Sequence, residues 1–272
     1  MCSLSRRVLK SVRRPLSPLL LFWMAGGWGF ADAPTWKLRS SITWLTGDYG
    51  TGVDSKLLYI PFTLQQNLPD GRWSVTVPYI WTENTADVTL FGGVPEGGSR
   101  GERFREAEGG LGDVVLRGNY YLAKPGKLAD WAPGLDLTAN LKFPTAEKDR
   151  GLGTGEFDFG LGMGLYQWVL PRIILFADLG YRFVGEPPGQ QYDNQWITGA
   201  GLGYRASQLW IHSLYLEHRS AVTREGKEAL SLLCAVTYAV HHDLEWVGGV
   251  EIGLSDGAPD HSLTLGFSYS FK

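Results

Sequence analysis

The sequence predicts an all-β chain, a transmembrane antiparallel up-and-down β-barrel of about twelve strands behind an N-terminal export signal. Three observations predict it. About twelve stretches alternate large apolar with polar residues at a period of two, which sorts the two kinds of side chain onto opposite faces of a strand. The polar faces carry Asp136, Lys142, Glu156, Asp158, Asp178, Arg182, Glu245 and Glu251, too much charge for a dry core, and the partner faces are too uniformly apolar for water. The links between stretches alternate long and mostly short, the asymmetry of a barrel whose long loops face outside the cell.

The N-terminus sets the address. Residues 1–14 carry Arg6, Arg7, Lys10, Arg13 and Arg14 with no acid, and 15–30 is an apolar run relieved by small residues. Gly29-Phe30-Ala31 then places small residues at the two positions a signal peptidase reads, so residues 1–31 are expected to be a removed signal and 32–272 the barrel. A membrane anchor is the alternative, but the run is short for a span and polar alternating sequence follows it. Arg6-Arg7 after Ser5 also fits a twin-arginine signal, which a barrel exported unfolded would not use.

Losing five basic residues with the signal moves the formal net charge from −3 to about −8. A mildly acidic chain lacks the clustered positive charge that nucleic acid requires. Cys2 falls in the signal, so Cys234 stands alone and no intramolecular disulfide is expected. No cofactor is expected. The 36 glycines and 11 tryptophans supply bends and interfacial girdles, and a mean hydropathy of −0.11 is what lipid-facing and lumen-facing positions average to.

In chain order, Trp36, Leu38, Ile42 and Trp44 share one face of the first stretch, opposite Lys37, Arg39, Ser41 and Thr43. Leu58, Ile60, Phe62 and Leu64 mark the second. After the Pro69-Asp70-Gly71 turn, Trp73, Val75, Val77, Tyr79 and Trp81 mark the third. Val114, Leu116, Tyr120 and Leu122 form the fourth, against Asp113, Val115, Arg117 and Asn119. The fifth is the clearest, with Leu135, Leu137, Ala139, Leu141 and Phe143 interleaving Asp136, Thr138, Asn140 and Lys142.

Phe157, Phe159, Leu161, Met163 and Leu165 carry the sixth, opposite Glu156, Asp158, Gly160, Gly162 and Gly164. Ile173, Leu175, Leu179, Tyr181 and Phe183 carry the seventh, away from Asp178 and Arg182. The eighth, 195–205, and the ninth, 209–219, have a mixed pattern that leaves their register open. Leu230, Leu232, Cys234, Val236, Tyr238 and Val240 give the tenth, and Leu244, Trp246, Val250, Ile252 and Leu254 the eleventh, opposite Glu245 and Glu251. In the twelfth, Leu263, Leu265, Phe267, Tyr269 and Phe271 alternate with Ser262, Thr264, Gly266, Ser268 and Ser270. A soluble sandwich or lipocalin-like barrel shares such alternation, and the charged faces are what argue against it.

Long links at 47–54, 82–110, 144–154, 185–194, 220–227 and 255–260 alternate with tighter ones at 66–72, 167–172, 206–208 and 241–243; the link 123–134 is the exception. Both chain ends then lie in the periplasm. The aromatics Phe267, Tyr269 and Phe271, followed by Lys272, resemble the C-terminal signal by which outer-membrane barrels are recognised for insertion. The expected surroundings are therefore outer-membrane lipid and lipopolysaccharide of a Gram-negative bacterium, reached through the barrel-assembly machinery.

Several motifs resemble those of the putative meta-pathway of phenol degradation family. They are Gly110-Leu111-Gly112-Asp113, Lys142-Phe143-Pro144-Thr145, Gly151-Leu152-Gly153-Thr154-Gly155, Gly180-Tyr181, and Gly253-Leu254-Ser255-Asp256-Gly257-Ala258-Pro259-Asp260. The resemblance implies an outer-membrane barrel usually described as a transporter. It implies no particular solute, and hydrophobic or aromatic compounds enter only through the family name.

Candidate lumen-lining residues are Arg117, Asp136, Lys142, Glu156, Asp158, Asp178, Arg182, Arg205, Glu245 and Glu251. They would set a transverse field acting on small polar solutes, or pair with one another and fill a closed structural barrel; the sequence leaves both open. The loop 82–110 would fold inward as a constriction or stay a solvated external loop. With no energy-coupling plug, passage would be passive diffusion.

The rival reading is an outer-membrane lipid hydrolase. His218-Arg219-Ser220 has the spacing that points histidine and serine to one face, but Leu232 and Leu233 stand where a third polar group would orient the histidine. His212-Ser213 and His261-Ser262 are adjacent pairs and point to opposite faces. His241-His242-Asp243 falls in an expected short periplasmic turn, and no metal site is expected there, because neighbouring side chains diverge and no second cluster completes a set of ligands.

Overall fold

The computed structural model describes residues 35–83, 88–91, 94–97, 107–126 and 131–272; the expected export signal lies outside them. The strands are β1 (Thr35–Gly47), β2 (Ser55–Leu68), β3 (Gly71–Glu83), β4 (Val88–Phe91), β5 (Val94–Gly97), β6 (Glu108–Leu111), β7 (Val114–Ala123), β8 (Gly134–Phe143), β9 (Asp158–Leu170), β10 (Ile173–Phe183), β11 (Gln195–Arg205), β12 (Trp210–Arg219), β13 (Ala229–Ala239), β14 (Leu244–Gly253) and β15 (His261–Phe271). One short 3₁₀ turn, Lys148–Arg150, sits in the link after β8.

Every barrel strand pairs antiparallel with its sequence neighbour, and β1 pairs with β15, which closes the ring. The sheet has thirteen segments, of which β6 and β7 are two parts of one wall position separated by a bend at Gly112-Asp113. The barrel therefore has twelve strands, in the order the alternation predicts. β4 and β5 form a separate hairpin in the long link before β6.

Burial alternates along the wall as a membrane barrel requires. Leu263 and Leu265 on β15 are 63% and 60% exposed, and Ser262, Thr264 and Ser268 on the opposite face are buried. An apolar face of this extent, running around all twelve strands, has no protein to cover it and is matched to lipid hydrocarbon. Aromatic pairs ring it at both ends. Trp36–Trp73, Trp210–Tyr238 and Trp246–Phe267 lie towards the short turns, and Trp44–Trp81, Phe159–Phe183 and Tyr181–Trp196 towards the long links.

Two strand starts shift from expectation, and one open register is resolved. β3 begins at Gly71, so Arg72 belongs to the wall and not to the turn before it. β9 begins at Asp158, leaving Glu156 and Phe157 outside the wall, because Gly155 takes a left-handed φ of 77° and the Glu156 amide donates to Thr154 Oγ1. β11 and β12 pair in unbroken register from Ile197↔Arg219 to Arg205↔Ile211, which resolves the mixed stretches.

Candidate functional site: the barrel interior

The inner wall is built from the polar half of each strand, with a mainly basic arc and a mainly acidic one, the latter interrupted by Arg182 on β10 and by Arg219 on β12, which lies 3.1 Å from Glu217. Lys37 and Arg39 on β1, Arg72 on β3 and Arg117 on β7 form a basic arc; Arg39, Arg72 and Arg117 lie close enough to act on one another electrostatically. The following strands bring acids. The register runs Asp136, Gly164, Asp178, Gly199, Glu217 from β8 to β12, so one row around the wall alternates carboxylate with glycine. Arg117 faces the charges of Asp136 and Asp178, and Glu245 on β14 lies 3.9 Å from Lys37.

The glycines in that row make room. A Cβ on Gly164 would collide with the Asp136 carboxylate, and one on Gly199 with the Tyr215 ring. Tyr215 instead lies flat against β11, donates a 2.7 Å hydrogen bond to Asp178 Oδ1 and stacks on Phe176 at 5.8 Å between ring centroids. Gly199→Val should expel Tyr215 from this position at a cost of about 1–3 kcal/mol, read as a lowered urea midpoint of the refolded barrel.

Side-chain hydrogen bonds also bridge adjacent strands: Thr43 to Thr264 at 2.9 Å, Thr63 to Thr76 at 2.8 Å and Arg72 Nε to Asn119 Oδ1 at 3.2 Å. Ser262 donates to Glu251 at 3.0 Å. Such bridges satisfy polar groups shielded from bulk water. Shielding is strong on the basic side, where Arg39 is 2% exposed, and weaker along β10 and β11, where Asp178, Arg182, Gly199 and Gly201 are half-buried. Water access thus favours the β10–β11 wall.

The link 144–157 folds into the outer mouth. Leu152 from that link is 1% exposed and packs on Leu45, Leu57 and Ile80, inner-face residues of β1, β2 and β3. Two anchors hold it there. At its base Lys142 lies 3.3 Å from Asp113 and 3.1 Å from Asp158 and donates to Thr154 Oγ1 at 2.8 Å. The outer oxygens of the two acids accept backbone N–H groups, Asp113 from Ala146 and Asp158 from Gly185, both at 3.0 Å. At its tip Arg150 donates to Glu108 Oε2 at 2.8 Å and to the Gly109 carbonyl at 2.6 Å. The bond to Glu108 raises the Arg150 guanidinium above its ordinary value, so this latch stays charged.

Residues 56–271 match the family described as "Putative MetA-pathway of phenol degradation". The chain belongs to that family. Among solved structures it resembles an outer membrane channel from Pseudomonas putida F1, with a TM-score of 0.64 at 14% identity over 89% of this chain and 97% of that one. It also resembles the NanC porin, with a TM-score of 0.53 at 12% identity over 85% and 98%. Both likenesses are of fold. No curated protein matches the sequence significantly.

Three of the family-like motifs converge on the Lys142 anchor. Asp113, Lys142 and Thr154 come from Gly110–Asp113, Lys142–Thr145 and Gly151–Gly155, and Thr145 adds a 2.9 Å bond from the Val114 amide. Spacing in the sequence does not show that these segments meet.

Of the sequence candidates, Arg117, Asp136, Asp178, Arg182, Glu245 and Glu251 stand on the inner wall. Lys142 and Asp158 are on the same wall but tied into the outer anchor. Arg205 ends β11 with its guanidinium 4.8 Å above the Trp168 ring. Glu156 is a correction: it lies in the outer link before β9, not in the wall. The loop 82–110, for which an inward constriction and a solvated external loop were both left open, falls partly outside the described residues, and the link seen inside the mouth is 144–157. Arg72, Glu217 and Arg219 join the inner wall without having been singled out by the alternation.

His218 lies on the outer, lipid-facing side of β12, and its ring contacts Glu228 at 3.2 Å. Ser220 Oγ accepts the Trp196 amide at 2.9 Å. No hydrogen bond joins His218 to Ser220, so the pair does not form a charge-relay arrangement.

Proposed function

We propose that the chain is a passive channel of a Gram-negative outer membrane, admitting small solutes through the barrel interior. The carrying observation is the pair of opposed charged arcs, Lys37, Arg39, Arg72 and Arg117 against Asp136 and Asp178. A barrel that served only as a scaffold would gain nothing from them, since replacing buried ion pairs by well-packed apolar groups is often neutral or stabilising. Opposed arcs instead let a polar solute exchange hydration for wall contacts as it passes. The channel and porin with which the fold is shared support this reading. Hydrophobic or aromatic solutes are a suggestion of the family name alone.

Liposome swelling tests the proposal. Vesicles holding the refolded chain should swell in small sugars and amino acids and stop doing so above a size limit, and vesicles that never swell would refute open passage. The arcs also predict a sign. Arg72→Gln should shift the reversal potential in a salt gradient towards cations and Asp136→Asn towards anions, on the order of a few-fold in permeability ratio.

A further inference from the structure

The short turn between β13 and β14 carries a cluster that the barrel interior does not use. The sequence expects the neighbouring side chains of His241, His242 and Asp243 to diverge. Here the chain reverses instead: His241 and Leu244 exchange backbone hydrogen bonds at 3.2 and 3.3 Å, so His242 and Asp243 occupy the bend and all three side chains gather on one side. His241 Nε2 and His242 Nδ1 are 3.0 Å apart, and His242 Nε2 is 2.7 Å from Asp243 Oδ2. One donor atom from each residue can be chosen so that the three lie within 4.8 Å of one another.

We propose that this turn binds one divalent transition-metal ion of the zinc, nickel or copper class. Two imidazoles and a carboxylate suit these ions, whereas magnesium and calcium prefer sets of oxygen ligands. Bonds of about 2.0–2.2 Å to one centre require the three donors to approach one another slightly. All three side chains are exposed enough to make that adjustment. The backbone beneath them is fixed, because the Ser270 amide of β15 donates to the Asp243 carbonyl at 2.7 Å. Binding therefore orders three side chains on an already ordered turn, and a fourth coordination position stays open to water or to an incoming ligand.

The test is titration calorimetry of the untagged chain, refolded in detergent, with Zn²⁺ and in parallel with Mg²⁺. One saturable Zn²⁺ site is expected, with no Mg²⁺ binding. His241→Ala, His242→Ala and Asp243→Asn should each weaken Zn²⁺ binding at least about tenfold, a loss of roughly 1.4 kcal/mol, and His218→Ala should leave it unchanged. Because the turn is exposed, each variant should keep the heat-modifiable gel mobility of a folded barrel. The proposal is overturned by absence of a saturable site, by equal affinity in His242→Ala, or by indifference to Asp243→Asn, which would leave two histidines acting without the carboxylate.

Discussion

Lys142→Met should destabilise the barrel by about 3–5 kcal/mol, because it leaves two carboxylates buried without their cation. The side chains of Lys142, Asp113 and Asp158 are 4%, 2% and 4% exposed, so water cannot replace the lost charge. The effect should appear as a lowered urea midpoint of the refolded chain in micelles. A triple variant distinguishes the charge imbalance from lost packing. Adding Asp113→Asn and Asp158→Asn removes the uncompensated charge and keeps the shapes, so much of the stability should return. If the triple variant is no more stable than Lys142→Met, the loss comes from packing and the ion-pair account of this anchor is wrong.

Leu152→Ser should have the largest effect on passage. Leu45, Leu57, Ile80 and Leu152 make an apolar constriction at the outer mouth, and water is reluctant to fill such a section. A hydroxyl on the smaller side chain both widens and wets it, raising conductance on the order of a few-fold. Val53→Ser, in the exposed link after β1, serves as the control and should change nothing. Unchanged current in Leu152→Ser would place the limiting section deeper, at the level of the two charged arcs.

These two sites differ in how far they could be read from the chain. The wall was legible because lipid on one side and polar surroundings on the other impose a strict period of two, so β8 and β15 show their outward and inward residues in sequence order. Arg72 escaped because Pro69-Asp70-Gly71 looks like a longer turn than the two-residue link that forms. Glu217 and Arg219 escaped because His212 and His218 place polar groups on the lipid face of β12, blurring the alternation. The Leu152 constriction and the Lys142 anchor arise from contacts between segments distant in sequence, on which local periodicity is silent. The glycines of β9 were visible as a pattern, but the carboxylate that Gly164 admits comes from the neighbouring strand. At His241-His242-Asp243 the turn was legible, but neighbouring side chains were expected to diverge, and the reversal of the chain gathers them instead.

The central claim, passage through a charged interior, is tested most directly by single-channel recording of the refolded chain in planar bilayers. The structure predicts small, stepwise, ohmic currents whose ion selectivity moves in opposite directions in Arg72→Gln and Asp136→Asn. Electrical silence from protein shown by heat-modifiable mobility to be folded and inserted, persisting in Leu152→Ser, would contradict it and leave a barrel closed along its length.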